Sequence, residues 1–421
     1  MEAKTDRKLV RVAGKSKRYL LVRFSAPESL ATRARPRVTV SLVLDRSGSM
    51  AGEKLRLVQR AAAKALEMLR ADDLFSLVVY DDRVDLLVAS TEATLGARRN
   101  AERRLGGIDA RGTTDLASGW LRGCGQVAST LSGDSVGKCL LLTDGLANVG
   151  ITDPRELLRH AGELRKRQVL TSTFGVGSDF DEMLLHDMAA AGGGHFYFID
   201  SARQVVDFLT SELGETLEVV ARDVGVVLEF PKGVGAEVLS EFPSEAEGGR
   251  LRCELGNLVS GQQVSVLLAV TFPAGAKGES AEVGLRVVDQ DRVFGEDAVV
   301  VQWEYAGHRA NDSQPRDAEA DRVVAAVYAE RARREALVAN RRGDYREAAR
   351  ILKGTARRIK EYAGKDGEML SCAEGLEIEQ SDFAAPMTSM ALKQRHFAST
   401  NALRGRDAKG RARRPSTHEE D

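Results

Sequence analysis

Apolar positions along the chain alternate between short unbroken runs and spaced stripes. Residues 38–44 (Val-Thr-Val-Ser-Leu-Val-Leu) form a run of strand length that stops at Asp45. A Gly/Ser-rich turn follows, and then 53–70 carries Leu55, Val58, Ala62, Ala65, Leu66 and Leu69 at helical spacing. Two more strand-like runs, 74–80 and 84–89, flank the turn Asp81-Asp82-Arg83 and predict a hairpin. Helices are expected at about 94–105 and 115–130, with the loop 106–112 between them. Beyond them strands at 138–143, 169–176 and 195–199 alternate with a helix that opens at Asp153 and helices at 179–191 and 201–214. The first of these helices opens on Asp153-Pro154-Arg155-Glu156, an acidic cap, a proline at the first helical position and a glutamate three residues after the cap. This alternation predicts an α/β fold, a doubly wound and mostly parallel sheet covered on both faces.

From about 219 to 305 the helical period fades. Runs at 224–230, 264–272, 281–288 and 298–303 are separated by Gly/Pro turns and predict a small β-sandwich. Residues 18–25 also read as a strand and are expected to pair into that sandwich, which makes the α/β region an insertion. After a linker at 307–315 the pattern is helical, with a Gly-broken turn at 340–345 between antiparallel helices. The expected organisation is therefore an N-terminal segment 1–36, an α/β domain 37–215, a β-sandwich 216–306, a helical region 316–403 and a charged disordered tail 404–421.

Composition narrows the function without naming it. Among 421 residues, 61 basic and 62 acidic side chains nearly cancel. Global attraction to nucleic acid or an anionic membrane is thereby disfavoured, with the basic stretch 404–414 as the local exception. No early segment looks like a secretion signal, and no window offers the ~18 apolar residues of a membrane span. A cytoplasmic protein is expected. Cys124, Cys139, Cys253 and Cys372 are too scattered for zinc or a disulfide framework.

Chemistry concentrates in three distant pieces: Asp45-Arg46-Ser47-Gly48-Ser49, Gly112-Thr113-Thr114-Asp115 and Thr143-Asp144-Gly145. In doubly wound sheets ligands sit at the carboxyl ends of strands, and Asp45 and Asp144 each lie just past one. Alternate side chains on a turning loop can converge on one point. Hydroxyls and carboxylates converging there make an all-oxygen set suited to Mg²⁺ or Mn²⁺. An EF-hand is excluded, because its twelfth position would be Arg56. Dinucleotide binding lacks its glycine pattern after the first strand. His195 reads as an ordinary residue at a strand start.

The Asp45-x-Ser47-x-Ser49 motif with a downstream Thr and Asp resembles the metal-ion-dependent adhesion site of the von Willebrand factor type A family. The flanks 44–50, 141–148, 174–177 and 192–198 are similar to that family as well, in the right order over about 37–215. The resemblance implies a divalent metal held by Asp45, Ser47, Ser49, Thr114 and Asp144, with Thr113 as the alternative to Thr114. It also implies a partner protein whose Asp or Glu completes the metal's coordination. The expected function is thus a non-enzymatic, metal-dependent protein-binding module. A metal-dependent hydrolase or phosphatase using the same residues is the alternative from another class. A third possibility is a structural metal with function in the helical region.

Overall fold

A computed structural model describes residues 1–28, 35–133 and 135–414, and divides them into two compact units. One unit combines Met1–Glu28 with Ala221–Ala408; the other comprises the described residues of Ser29–Val220.

In the first unit the chain begins with β1 (Glu2–Thr5), β2 (Leu9–Arg11) and β3 (Ser16–Ser25). A single strand was expected here. Two short edge strands escape the apolar pattern because pairing, not an alternating face, defines them.

The second unit then follows in sequence: β4 (Arg37–Asp45), α1 (Glu53–Glu67), β5 (Leu74–Tyr80), β6 (Val84–Glu92), α2 (Leu95–Gly106), α3 (Leu116–Ala128), β7 (Ser135–Thr143), α4 (Pro154–Lys166), β8 (Val169–Val176), α5 (Glu182–Ala191), β9 (Gly193–Ile199) and α6 (Val205–Leu217). The sheet order is β6-β5-β4-β7-β8-β9, parallel except for β6, which the β5–β6 hairpin turns back at the edge. Strands β5, β7 and β8 are buried at every position, which is why they read as near-continuous runs. Strand order reverses at β4, so its carboxyl end is the crevice where such sheets bind ligands. Helix α3 lies close on the sheet because Gly123 lacks a side chain. A Cβ there would collide with Val43 and come within 2.9 Å of Ser41 Oγ.

The chain re-enters the first unit through β10 (Val219–Glu229) and continues with β11 (Gly235–Val238), β12 (Ser244–Glu247), β13 (Arg250–Val259), β14 (Gln263–Phe272), β15 (Ser280–Val288) and β16 (Ala298–Ala306). Two sheets form, β1-β3-β14-β11 and β12-β13-β10-β15-β16-β2. The α/β unit is therefore inserted between β3 and the rest of this β layer. Strand β3 pairs with β14 over ten residues, from Ser25 opposite Gln263 to Ser16 opposite Phe272. Strands β11 to β13 have no counterpart in the runs read from sequence.

Helices α7 (His308–Ser313), α8 (Ala318–Arg341), α9 (Tyr345–Ala363), α10 (Gly367–Phe383) and α11 (Ser389–Leu403) complete the unit. The first occupies the expected linker. An alanine-rich seam, including Ala329, Ala332 and Ala336 against Leu352 and Leu376, joins α8, α9 and α10. Val324 of α8 packs with Leu21, Leu239 and Leu267, so the helices share a core with the strands. At the 340–345 turn, Asn340 Nδ2 donates to the carbonyls of Phe383 (3.0 Å) and Ala385 (2.7 Å).

The tail also differs from expectation. Arg406 is buried and forms a bridge with Ala412, while the Gln263 amide donates to the Arg413 carbonyl at 2.8 Å. Backbone pairing orders residues that charge alone marks as solvated. Residues 415–421 lie outside the described residues. Among the described residues no helix is long and apolar enough to cross a membrane.

Candidate functional site

The five residues singled out in sequence lie on three loops at the carboxyl edge of the parallel sheet. Strand β4 delivers Asp45, fully buried, and the Ser47 amide turns back to donate to Asp45 Oδ1 at 2.7 Å. A single 3₁₀ turn, Gly48–Met50, follows, anchored by the buried Met50 side chain. That turn brings Ser47 Oγ and Ser49 Oγ within 3.2 Å of each other. Ser49 Oγ in turn donates to Asp144 Oδ1 at 2.7 Å.

The second loop is stitched to the first by two backbone bonds, Gly48 N to Gly112 O (3.1 Å) and Arg111 N to Arg46 O (2.8 Å). Gly112 has φ +68°, and a Cβ there would collide with Asp82, so the close approach requires glycine. Thr114 is buried and Thr113 exposed. The Thr114 amide donates to Asn148 Oδ1 at 3.2 Å, and a Cβ built on Gly145 would lie 3.1 Å from Thr114 Oγ1. Thr114, not Thr113, therefore lines the Asp144–Gly145 turn.

Arg46, the residue between Asp45 and Ser47, pairs elsewhere. Its Nε donates to Asp81 Oδ2 at 2.9 Å and its Nη2 reaches Asp85, and Arg111 joins the same Asp81 at 2.7 Å. Asp81 and Asp85 thus hold the two guanidiniums in one network. Asp45 accepts from Ser47 and from Thr143 Oγ1 (2.7 Å), and among the described residues no lysine or arginine is paired with it. Burial pushes the Asp45 carboxyl up to about 6; the nearby Asp144 charge acts in the same direction, while the bonds from Thr143 and Ser47 oppose it.

Three participants were not legible beforehand. Thr143, inside the quoted Thr-Asp-Gly piece, holds Asp45 from the neighbouring strand. Asn148 fixes Thr114 across the two loops. Lys54, in the first turn of α1, places its ammonium on Asp144 Oδ2. Nothing in the spacing of Lys54 distinguishes it from other surface lysines.

Chemically, the donors are two hydroxyls within 3.2 Å of each other and two buried carboxylates, with a third hydroxyl at the turn. Neighbouring ligands of an octahedral Mg²⁺ at about 2.1 Å lie about 3 Å apart, so the serine spacing suits adjacent ligands. The set contains no sulfur or imidazole.

His195 is elsewhere and has a partner that the sequence did not reveal. Its Nδ1 lies 3.1 Å from Glu212 Oε2, and Glu212 also accepts from Tyr197 (2.6 Å) and Ser172 (2.6 Å) while pairing with Lys138 (2.7 Å).

The family model of the von Willebrand factor type A domain matches residues 39–211. A von Willebrand factor type A protein from Catenulispora acidiphila superposes with a TM-score of 0.68 at 17% identity, covering 90% of this chain and 96% of that one. The uncharacterized protein YfbK of Escherichia coli K12 is 27% identical over 287 residues, 64% of this chain and 48% of the relative. Human inter-alpha-trypsin inhibitor heavy chain H4 is 31% identical over 231 residues, 52% of this chain and 23% of that protein. The chain thus spans less than half the length of either curated relative. The likeness to the Catenulispora structure extends through the sandwich and the helices and bears on the fold.

Proposed function

Because residues 39–211 form a von Willebrand factor type A domain, a type that typically mediates protein–protein contacts, we propose that this chain is a metal-dependent binding module. Asp45, Ser47, Ser49, Thr114 and Asp144 would hold Mg²⁺ or Mn²⁺, and the ion would capture an aspartate or glutamate of a partner protein. The observation that carries this reading is the balance of the donor set. Two buried carboxylates, Asp45 and Asp144, stand with neutral hydroxyls and no sulfur or imidazole, as hard cations require. Lys54 supplies one positive charge at Asp144 from a side chain that is 31% exposed, while Asp45 has none. A divalent ion would supply the remaining charge and, being coordinated mainly by neutral oxygens, would favour an external carboxylate.

The phosphatase alternative gains one element from Lys54, since a lysine beside an acid can bind phosphate. Its nucleophile, however, would have to be Asp45, which is fully buried with both oxygens already accepting hydrogen bonds. Burial argues against attack on a phosphorus centre.

Selection from a random peptide library on the immobilised full chain tests the proposal. Acid-containing peptides should be retained in Mg²⁺, released by EDTA and lost with Asp45→Ala. Peptides retained equally in EDTA, or turnover of p-nitrophenyl phosphate that disappears with Asp45→Ala, would contradict it.

A further inference from the structure

We propose that Lys54 is a tethered competitor for the cation, a built-in ammonium that occupies Asp144 and thereby sets how much divalent ion is needed to load the site. This rests on the metal-binding reading given above. Asp144 is fully buried and both of its oxygens are engaged: Oδ1 by Ser49 Oγ at 2.7 Å and Oδ2 by Lys54 Nζ. A cation ligated by Ser47, Ser49 and Asp144 would stand within a few ångströms of that ammonium. The two positive charges would then repel in a poorly screened setting.

The position of Lys54 supports a role tied to the acid. A lysine in the first turn of a helix faces the positive end of the helix dipole, an unfavourable place for it. Glu53, beside it, is the residue type that such a turn favours. The Asp144 carboxylate is what offsets the cost. The side chain is 31% exposed, so the ammonium reaches the acid from the solvent edge and can swing out without breaking the core.

Charge bookkeeping gives the consequence. With Lys54 docked, Asp45 and Asp144 together with the ammonium carry a net −1; a divalent ion in place of the ammonium brings the same pair of acids to zero. Metal entry is therefore an exchange of one cation for another, and removing the tethered one should favour the free one.

The test measures Mn²⁺ dissociation constants of the full chain by electron paramagnetic resonance, with thermal melts in EDTA. Lys54→Met should bind Mn²⁺ about tenfold more tightly than wild type, and it should melt lower in EDTA because the two acids lose the one countercharge paired with them among the described residues. Lys54→Gln, which keeps a polar but uncharged end, should shift affinity in the same direction and covers the case of a poorly folded methionine variant. Equal or weaker Mn²⁺ binding in both folded variants would overturn the competitor role while leaving the metal site standing. Absence of Mn²⁺ binding in folded wild type and variants alike would overturn the site itself and the competitor with it.

Discussion

Two of the buried acid clusters in the inserted α/β unit are built on opposite plans. Around Glu212, the chain supplies everything. Lys138, 7% exposed, gives the countercharge, and the hydroxyls of Ser172 and Tyr197 and the His195 ring surround the carboxylate. Around Asp45 and Asp144, two carboxylates meet the hydroxyls of Ser47, Ser49, Thr114 and Thr143 and one partly exposed lysine at a loop rim. The first cluster is closed, and binds α6 to β7, β8 and β9. The second leaves its acids short of positive charge. His195, Glu212 and Glu215 come close enough together to be considered as metal ligands. Yet Glu212 already serves four partners, so an ion there would have to displace an ion pair and several hydrogen bonds. Proximity of acids is a poor guide to metal binding; the state of their charge balance is a better one.

The largest expected effect lies on the closed side. Glu212→Ala strands the buried Lys138 ammonium and should cost about 3–5 kcal/mol in denaturant unfolding. The loss should be the same in Mg²⁺ and in EDTA. If Mg²⁺ restores the variant selectively, the two clusters are not independent.

On the open side, Mg²⁺ at a hundredfold excess over its dissociation constant should stabilise the wild type by about 2.7 kcal/mol. Asp45→Ala should abolish that increment in thermal melts, whereas Glu212→Ala should keep it. A third change controls for general damage. Gly123→Ala forces a methyl group between α3 and β4, near Val43 and Ser41, at a cost of about 1–3 kcal/mol. Its Mg²⁺ increment should be unaltered. The smallest effect separates two adjacent threonines: Thr114→Ala should weaken Mg²⁺ binding several-fold in calorimetric titration, and Thr113→Ala should leave it unchanged. The reverse order would move the second loop's ligand to the exposed residue.

What could be read from sequence follows the same physical lines. Strands β5, β7 and β8, buried on both faces, declare themselves as apolar runs, and their alternation with amphipathic helices points to the doubly wound sheet. Asp45, Ser47 and Ser49 stand out because alternate polar residues directly follow such a run. Short edge strands such as β1, β2 and β12 carry no comparable signal, since their pairing depends on partners far away in the chain. The same holds for Lys54 and Glu212. Each is an ordinary charged residue on a helix until folding sets it against an acid or a lysine from a distant strand. The ordering of residues 404–413 was hidden for a related reason, because backbone bonds such as Gln263 N to Arg413 O leave no mark on composition.

Crystals of the full chain soaked in Mn²⁺ would locate the ion by its anomalous scattering and so compare the two clusters directly. A single peak about 2 Å from Ser47 Oγ and Ser49 Oγ is the predicted result. A peak at His195 and Glu212, or none at the Asp45 rim at millimolar Mn²⁺, would contradict it.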